Sequence, residues 1–453
     1  MTAAPSERPD ATPVRNRGHP EWKSGAAGPT VGGMPDVLSD ERPLRIAFVV
    51  LHTSPLDEPG TKDAGGMNVV VLAQAEALAA RGHQVELITR RSDPDSAPTV
   101  QLGENLRLHN LDAGPARLIA KGEHEHVIRE FQDALATLLG ELPVDVLHAQ
   151  HWFSGVAALP VAREFGIPIA QSFHSIAADS STPLADGERA ESPGRLAGEA
   201  MLAKSVDAIV VVSRAERDTV LSRLGGDPAI THIVPPGVDA DLFFPAWDAR
   251  AELAAHEQRP RRALSAGRLH PLKGFDLALD AIAEVDADVR PDYVLVGAAP
   301  PDADGRGYEA RLHDAVEQHG LADHVQYIGS LSRHALAAQL RLVDLVLIPS
   351  HSETYGLVAL EAAASGVPVV ASAAGGLREA VVDGVTGILL ETRDPADWAA
   401  AIAGILRQSE VAERMSRAAR EHALTHSWDL SAEGLLSVFR DLVAHARPGS
   451  ARA

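Results

Sequence analysis

The chain has 453 residues, no cysteine, and 62 acidic against 41 basic side chains, giving a net charge of -21. The length exceeds one ordinary domain, and the missing cysteine excludes a disulfide framework, thiolate catalysis and a Cys-ligated metal. The charge speaks against nucleic acid or an anionic membrane as partner and leaves room for a phosphorylated ligand only at a local basic site.

Residues 1–42 are rich in Pro, Gly, Ser and charge and read as a disordered tail, as do residues 447–453. The opening stretch lacks the apolar core of a signal peptide, and no apolar run approaches the ~20 residues of a membrane span. The expectation is a cytoplasmic protein with no integral membrane segment. Leu44–His52 is a continuous apolar run, as a strand buried on both faces requires. A Pro- and Gly-containing loop follows, then a helix from Gly66 to Arg81 and a strand over Val85–Thr89. Helices over Val127–Leu139, Val156–Phe165 and Leu196–Lys204 alternate with strands over Val144–Ala149, Ile167–Phe173 and Ala208–Val212. A break at Val234–Arg262 reads as a linker plus the first elements of a second domain. The alternation then restarts with a strand over Arg262–Ala266 and runs through the strand Val367–Ala371. Helices from Pro395 to about His426 follow, and an amphipathic helix over Trp428–His445 closes the pattern. Serial β-α alternation calls for parallel, doubly wound sheets, with ligands at the carboxyl ends of the strands. The predicted class is α/β, with domains over residues 43–234 and 235–427.

Two loops of the second domain carry chemistry. In Ser350-His351-Ser352-Glu353-Thr354-Tyr355-Gly356-Leu357-Val358-Ala359-Leu360-Glu361, two carboxylates stand eight residues apart, one before a helix and one inside it. The helix N-terminus between them offers free amides to a phosphate. In Gly267-Arg268-Leu269-His270-Pro271-Leu272-Lys273-Gly274, an Arg and a Lys can clamp a diphosphate leaving group, so that their stabilisation grows as it departs. Lys273 is one of only five lysines, with Lys23, Lys62, Lys121 and Lys204. Gly375-Gly376 reads as no more than a tight turn.

These motifs together resemble the family 4 retaining glycosyltransferases of the GT-B fold, over nearly all of residues 44–445. The resemblance implies two Rossmann-like domains facing each other across a cleft, with the last helix, 428–446, returning to the first domain. It implies that Arg268 and Lys273 contact the donor diphosphate, that Glu361 holds the ribose, and that Glu353 meets the donor sugar. It extends the donor set to Glu58, Pro59, Gly66, Leu331, Tyr355, Gly356 and Leu357, and places His174 near the reacting centre.

In the first domain, His52-Thr53-Ser54-Pro55 and Asp63-Ala64-Gly65-Gly66-Met67-Asn68 resemble the branch of that family that glycosylates inositol phosphate at the start of mycothiol biosynthesis. That branch implies UDP-N-acetylglucosamine as donor, 1D-myo-inositol 3-phosphate as acceptor, no catalytic metal or further cofactor, and by analogy a homodimer. It implies an acceptor site built from His52, Asp63, Ala64, Gly65, Gly66, Met67, Asn68, Lys121, His151, Ser175 and Arg195. Lys121, Ser175 and Arg195 are expected to converge on one phosphate. Without the resemblance, Lys121 and Arg195 read as solvated cations at helix ends. Ser175 stands for Thr and keeps the hydroxyl; two departures matter more: His151 stands for Tyr, and Glu58 for Gln. A carboxylate facing a diphosphate is repulsive, so Glu58 points away or the donor pocket differs. Other readings of the residues stay open, namely a relative with another sugar-phosphate or lipid-linked acceptor, an epimerase on the same architecture, and a catalytically silent sugar-nucleotide-binding regulator.

Overall fold

A computed structural model describes residues 42–60, 64–248, 260–299 and 303–446, excluding the side chains of 303–305. The expected tails, Arg42 apart, and Asp63 lie outside the described residues.

The first sheet holds eight strands, β1 (Arg45–Val50), β2 (Gln84–Arg90), β3 (Thr99–Gly103), β4 (Leu106–Leu111), β5 (Val146–Gln150), β6 (Ile169–Ser172), β7 (Ala208–Val211) and β8 (Thr231–Ile233). Their order is β3-β4-β2-β1-β5-β6-β7-β8, parallel except where β3 runs antiparallel to β4. Around it lie α1 (Gly66–Ala80), α2 (Ile128–Glu141), α3 (His151–Phe165), α4 (Arg195–Ser205) and α5 (Arg214–Thr219). The second sheet is parallel throughout, in the order β11-β10-β9-β12-β13-β14, from β9 (Arg262–Ala266), β10 (Asp292–Val296), β11 (Val325–Gly329), β12 (Leu345–Ile348), β13 (Val369–Ser372) and β14 (Gly387–Leu390). It carries α6 (Phe275–Glu284), α7 (Ala303–Gln318), α8 (Arg333–Leu340), α9 (Leu357–Ala364), α10 (Leu377–Ala380), α11 (Pro395–Arg407) and α12 (Ser409–Leu424).

β1, β5, β6, β7, β12 and β13 are almost wholly buried, as central strands covered on both faces are, although β5 and β6 carry polar residues among their apolar ones. β3 and β4 went unread in the sequence. β3 is a sheet-edge strand with alternating exposed positions and polar residues, so it gives no apolar run. β8, β14 and α5, each three to six residues long, were also not read. α3 starts at His151 rather than Val156, so its first turn lies directly at the strand end.

The last helix, α13 (Trp428–Ala446), lies on the first sheet and α1. Leu435, Leu436, Val438 and Phe439 pack among Ile46, Phe48, Leu78 and Val210, and Gln74 Nε2 donates to Ser431 Oγ at 2.9 Å. Each of those apolar side chains contributes roughly 1.5–3 kcal/mol by burial, which fixes the returning helix to the half that contains neither its linker nor its preceding helices. The outgoing and returning connections touch. Val238 N–H donates to His426 O at 2.8 Å, and a Cβ on Gly237 would run into the backbone of Ser427 and Trp428.

Candidate functional site

The carboxyl ends of β1, β5, β6 and β7 border one cleft with those of β9 and β12, and its volume is about 550 Å³. Direct bonds join its two walls. Ser330 Oγ donates to Gly60 O at 2.5 Å, Ser213 Oγ to Thr354 O at 2.7 Å, and Thr354 Oγ1 to His174 O at 2.8 Å.

On the second-domain wall, Lys273 Nζ lies 2.5 Å from Glu353 Oε1, and Ser350 Oγ donates to the same oxygen at 2.8 Å. One carboxylate oxygen of Glu353 is thus pinned. Glu361, 4% exposed, sits one turn into α9 and accepts from Arg333 Nη1 at 2.7 Å. Burial pushes its carboxyl up, against the pull of Arg333. Gly375 and Gly376, read from sequence as a bare turn, back this loop. Gly376 N–H donates to Glu353 O at 2.9 Å, and a Cβ at either glycine would strike the Glu353 or Thr354 carbonyl.

On the first-domain wall, two non-glycine residues hold left-handed backbone, His151 at φ 66° and His174 at φ 59°. Such residues cost on the order of 1–3 kcal/mol and cluster at functional sites. The Gln150 amide is oriented by its Nε2 donating to His148 O at 3.3 Å, so its Oε1 faces His174 Nε2 at 2.6 Å. An amide oxygen only accepts. His174 therefore carries its proton on Nε2 and keeps Nδ1 as an acceptor. Burial lowers its pKa to about 4, so it is neutral at pH 7.

Three more imidazoles pack nearby, His52 on His151 at 4.4 Å between ring centroids and His52 on His124 at 6.1 Å. His52 Nδ1, His124 Nε2 and both ring nitrogens of His151 are buried without a hydrogen-bond partner. Burial, reinforced by Lys121, holds His52 well below the usual imidazole range, and burial with His52 does the same to His151. His151 thus stands neutral at this end of the cleft.

Most expected residues border the cleft: Pro59, Gly66, Leu331, Tyr355, Gly356 and Leu357 on the donor list, and His52, Ala64, Gly65, Met67, Asn68, Lys121, His151 and Ser175 on the acceptor list. Arg268, Lys273, Glu353, Glu361 and His174 do so too. Two expectations need correction. Glu58 is exposed and does not line the cleft, which removes the conflict between its charge and a bound diphosphate. Arg195 is neither a solvated cation nor a cleft-lining one: it is 0% exposed and lies behind the wall. Its Nε donates to Glu199 at 2.7 Å, its Nη1 to Glu191 at 2.5 Å, and its Nη2 to the Ser175 carbonyl and Oγ at 3.0 and 2.9 Å. It holds Ser175 in place and does not reach into the opening.

The sequence reading missed Glu188, Glu191, Glu199, Arg333 and Thr354. Glu191, Arg195 and Glu199 follow each other at four-residue spacing, a readable ion-pair signal; the others carry none.

The first part of the chain, residues 64–242, matches the family model Glycosyltransferase Family 4, and residues 248–422 match Glycosyl transferases group 1. The chain is 37% identical over 445 residues to the D-inositol 3-phosphate glycosyltransferase of Mycobacterium marinum, covering 95% of this chain and 94% of that one. It is 36% identical over 412 residues to the enzyme of the same name from Stackebrandtia nassauensis, covering 88% and 92%. Its structure is similar to that of sucrose-phosphate synthase from Thermosynechococcus elongatus, with TM-score 0.80 and 29% identity over 88% of this chain and 99% of that one. The fold is thus shared with that synthase, and the chain belongs to the family 4 glycosyltransferases of the GT-B fold.

Proposed function

We propose that this enzyme transfers N-acetylglucosamine from UDP-N-acetylglucosamine to 1D-myo-inositol 3-phosphate with retention at the anomeric carbon. The observation that carries the reading is the pair of cationic stations in one cleft, Arg268 and Lys273 at one wall and Lys121 at the other. A donor diphosphate needs the first and a phosphorylated acceptor the second. The names of the relatives at 36–37% identity agree with this division.

In this reading Arg268, Lys273 and the free amides at the start of α9 receive the charge that develops on the departing nucleotide. Glu361, oriented by Arg333, takes the ribose hydroxyls. Glu353, with one oxygen fixed by Lys273 and Ser350, offers the other to a hydroxyl of the donor sugar. Neutral His174 accepts a hydrogen bond at Nδ1 near the reacting centre. The acceptor hydroxyl attacks from the face the nucleotide leaves, and the leaving phosphate oxygen takes its proton. The bonds between Thr354, Ser213 and His174 hold the cleft shut against water during transfer. No helix among the described residues is long and apolar enough to cross a membrane, and the polar substrates proposed fit an enzyme working in the cytoplasm.

The test is UDP release from UDP-N-acetylglucosamine with and without 1D-myo-inositol 3-phosphate, followed by the product's mass. Acceptor-dependent release with a phosphorylated pseudodisaccharide is expected. Protein that binds UDP yet shows no acceptor-dependent release would overturn the acceptor assignment and leave the family.

A further inference from the structure

The acceptor-side lysine and the donor-side arginine do not face an open space. A single carboxylate, Glu188, stands between them. Its Oε1 is 3.4 Å from Lys121 Nζ and 3.5 Å from Arg268 Nη2, and its Oε2 is 3.8 Å from Arg195 Nη1. Glu188 borders the cleft on the strap that links β6 to α4. The strap is tied down beside it. Ala178 N–H donates to the Glu188 carbonyl at 2.8 Å, and Arg223 donates to Asp186 O at 2.6 Å and Ala177 O at 3.2 Å. Although burial opposes it, the field of Lys121, Arg268, Arg195 and His270 holds the Glu188 carboxyl well below the usual range, so the group is an anion.

Two kinds of ion pair therefore meet here. Arg195 grips Glu191 and Glu199 at 2.5 and 2.7 Å, the length of charge-assisted bonds in a permanent structure. Glu188 is held by three cations at 3.4–3.8 Å, longer than such bonds; Lys121, Arg268 and Glu188 itself are partly open to solvent, while Arg195 is buried. The first set is fixed by packing and the second is exchangeable. The backbone of Glu188 is anchored while its side chain can turn away, so the carboxylate can be replaced without unfolding the strap.

We propose that Glu188 is a tethered counter-ion that occupies the phosphate station in the substrate-free enzyme and competes with the acceptor's phosphate for Lys121. This rests on the proposed function only in placing an anion at Lys121. A tethered ligand acts at an effective concentration on the order of millimolar, and the affinity for a free competitor falls by the fraction of sites the tether leaves open. A singly charged competitor exchanges like for like and gains nothing against the tether. A phosphomonoester dianion brings twice the charge and a third oxygen. Glu188 thus makes the station selective for phosphomonoesters and keeps weaker cellular anions out.

The experiment is equilibrium binding of inorganic phosphate to the full chain in the absence of donor, for the wild type, Glu188→Gln and the double variant Glu188→Gln with Lys121→Met. Glu188→Gln is expected to bind phosphate about tenfold more tightly or better, and the double variant to lose that gain. UDP binding by each protein confirms that it is folded. Equal or weaker phosphate binding by Glu188→Gln would overturn the proposal, since a merely structural carboxylate gives no gain when removed. A gain that persists after addition of Lys121→Met would overturn it as well, by moving the anion elsewhere. Because neither inositol phosphate nor sugar transfer is involved, the outcome is separate from the test of the proposed acceptor.

Discussion

The two walls of the cleft are built on opposite plans. The second-domain wall is sparse. Three cations and two carboxylates sit on two short loops and the starts of two helices, with Glu353 held by Lys273 and Glu361 by Arg333. The first-domain wall is dense, with His52, His124 and His151 buried against one another, an arginine with no exposed surface, and carboxylates stacked behind it. In the proposed reading the second-domain wall holds a nucleotide diphosphate, flexible and highly charged, for which point charges at strand ends suffice, and the first-domain wall orients a small polyol phosphate by many weak contacts, which need a rigid wall. The difference separates residues that meet ligand from residues that hold the wall, and the two kinds should respond differently to substitution.

The largest effect should come from behind the wall. Arg195→Met leaves Glu191 and Glu199 without their cation, with only Trp152 and the Ala177 amide as donors, and breaking such a buried ion-pair network costs about 3–5 kcal/mol. Urea denaturation should show that loss, with UDP affinity little altered in whatever protein remains folded. If stability is unchanged and only the acceptor KM rises, Arg195 belongs to the ligand and not to the wall. On the sparse side the pattern should invert. Lys273→Met should lower kcat by about 10²–10³, the usual cost of losing one group that stabilises developing charge, while the denaturation midpoint barely moves. Loss of stability comparable to that of Arg195→Met would erase the distinction.

The third prediction concerns pH. Glu216, on α5, gives one oxygen to Val212 N–H at 2.8 Å and leaves the other unpaired, and burial pushes its pKa from 4.5 up to about 7. The fold thus favours the protonated form. The stability Glu216 contributes is complete below about pH 4.5 and is lost as pH rises to about 7, by about 3 kcal/mol in all. Histidines held neutral act in the reverse sense. His124 and His174, lowered to about 4, contribute stability above pH 6.5 that is lost as pH falls toward 4. Those residues are common to both proteins, so they cancel when Glu216→Gln is compared with wild type. The stability difference between the two should change by about 3 kcal/mol between pH 4.5 and 7, with the wild type losing ground. A flat difference would mean that Glu216 is as well solvated as a surface carboxylate.

The same contrast explains what could be read from the amino acids alone. Glu353 and Glu361 lie in one contiguous stretch, as do Arg268 and Lys273, and each stretch joins a strand to a helix, so position and chemistry could be inferred together. The acceptor wall is assembled from loops near residues 52, 121, 151, 175 and 188, which only the folded sheet brings together. Lys121 and Arg195 were placed by resemblance, which correctly put Lys121 in the cleft but could not tell that Arg195 is turned inward. Glu188 was invisible because its place depends on a strap folding back over α4. The buried strands were legible from their apolar runs, whereas edge strand β3 was not, since a strand that faces solvent lacks that signature.

Gly237 has one further consequence. The chain passes from the first half to the second beside it and returns at Ser427 and Trp428, with no room for a side chain between the two passages. The two covalent bridges are therefore one place in space, held by the bond from Val238 to His426. Swapping either half for that of a relative means cutting the chain twice but rebuilding only a single junction, together with α13, which must travel with the half it lies on. Exchange of either half is thereby a matter of matching one crossing point and one helix.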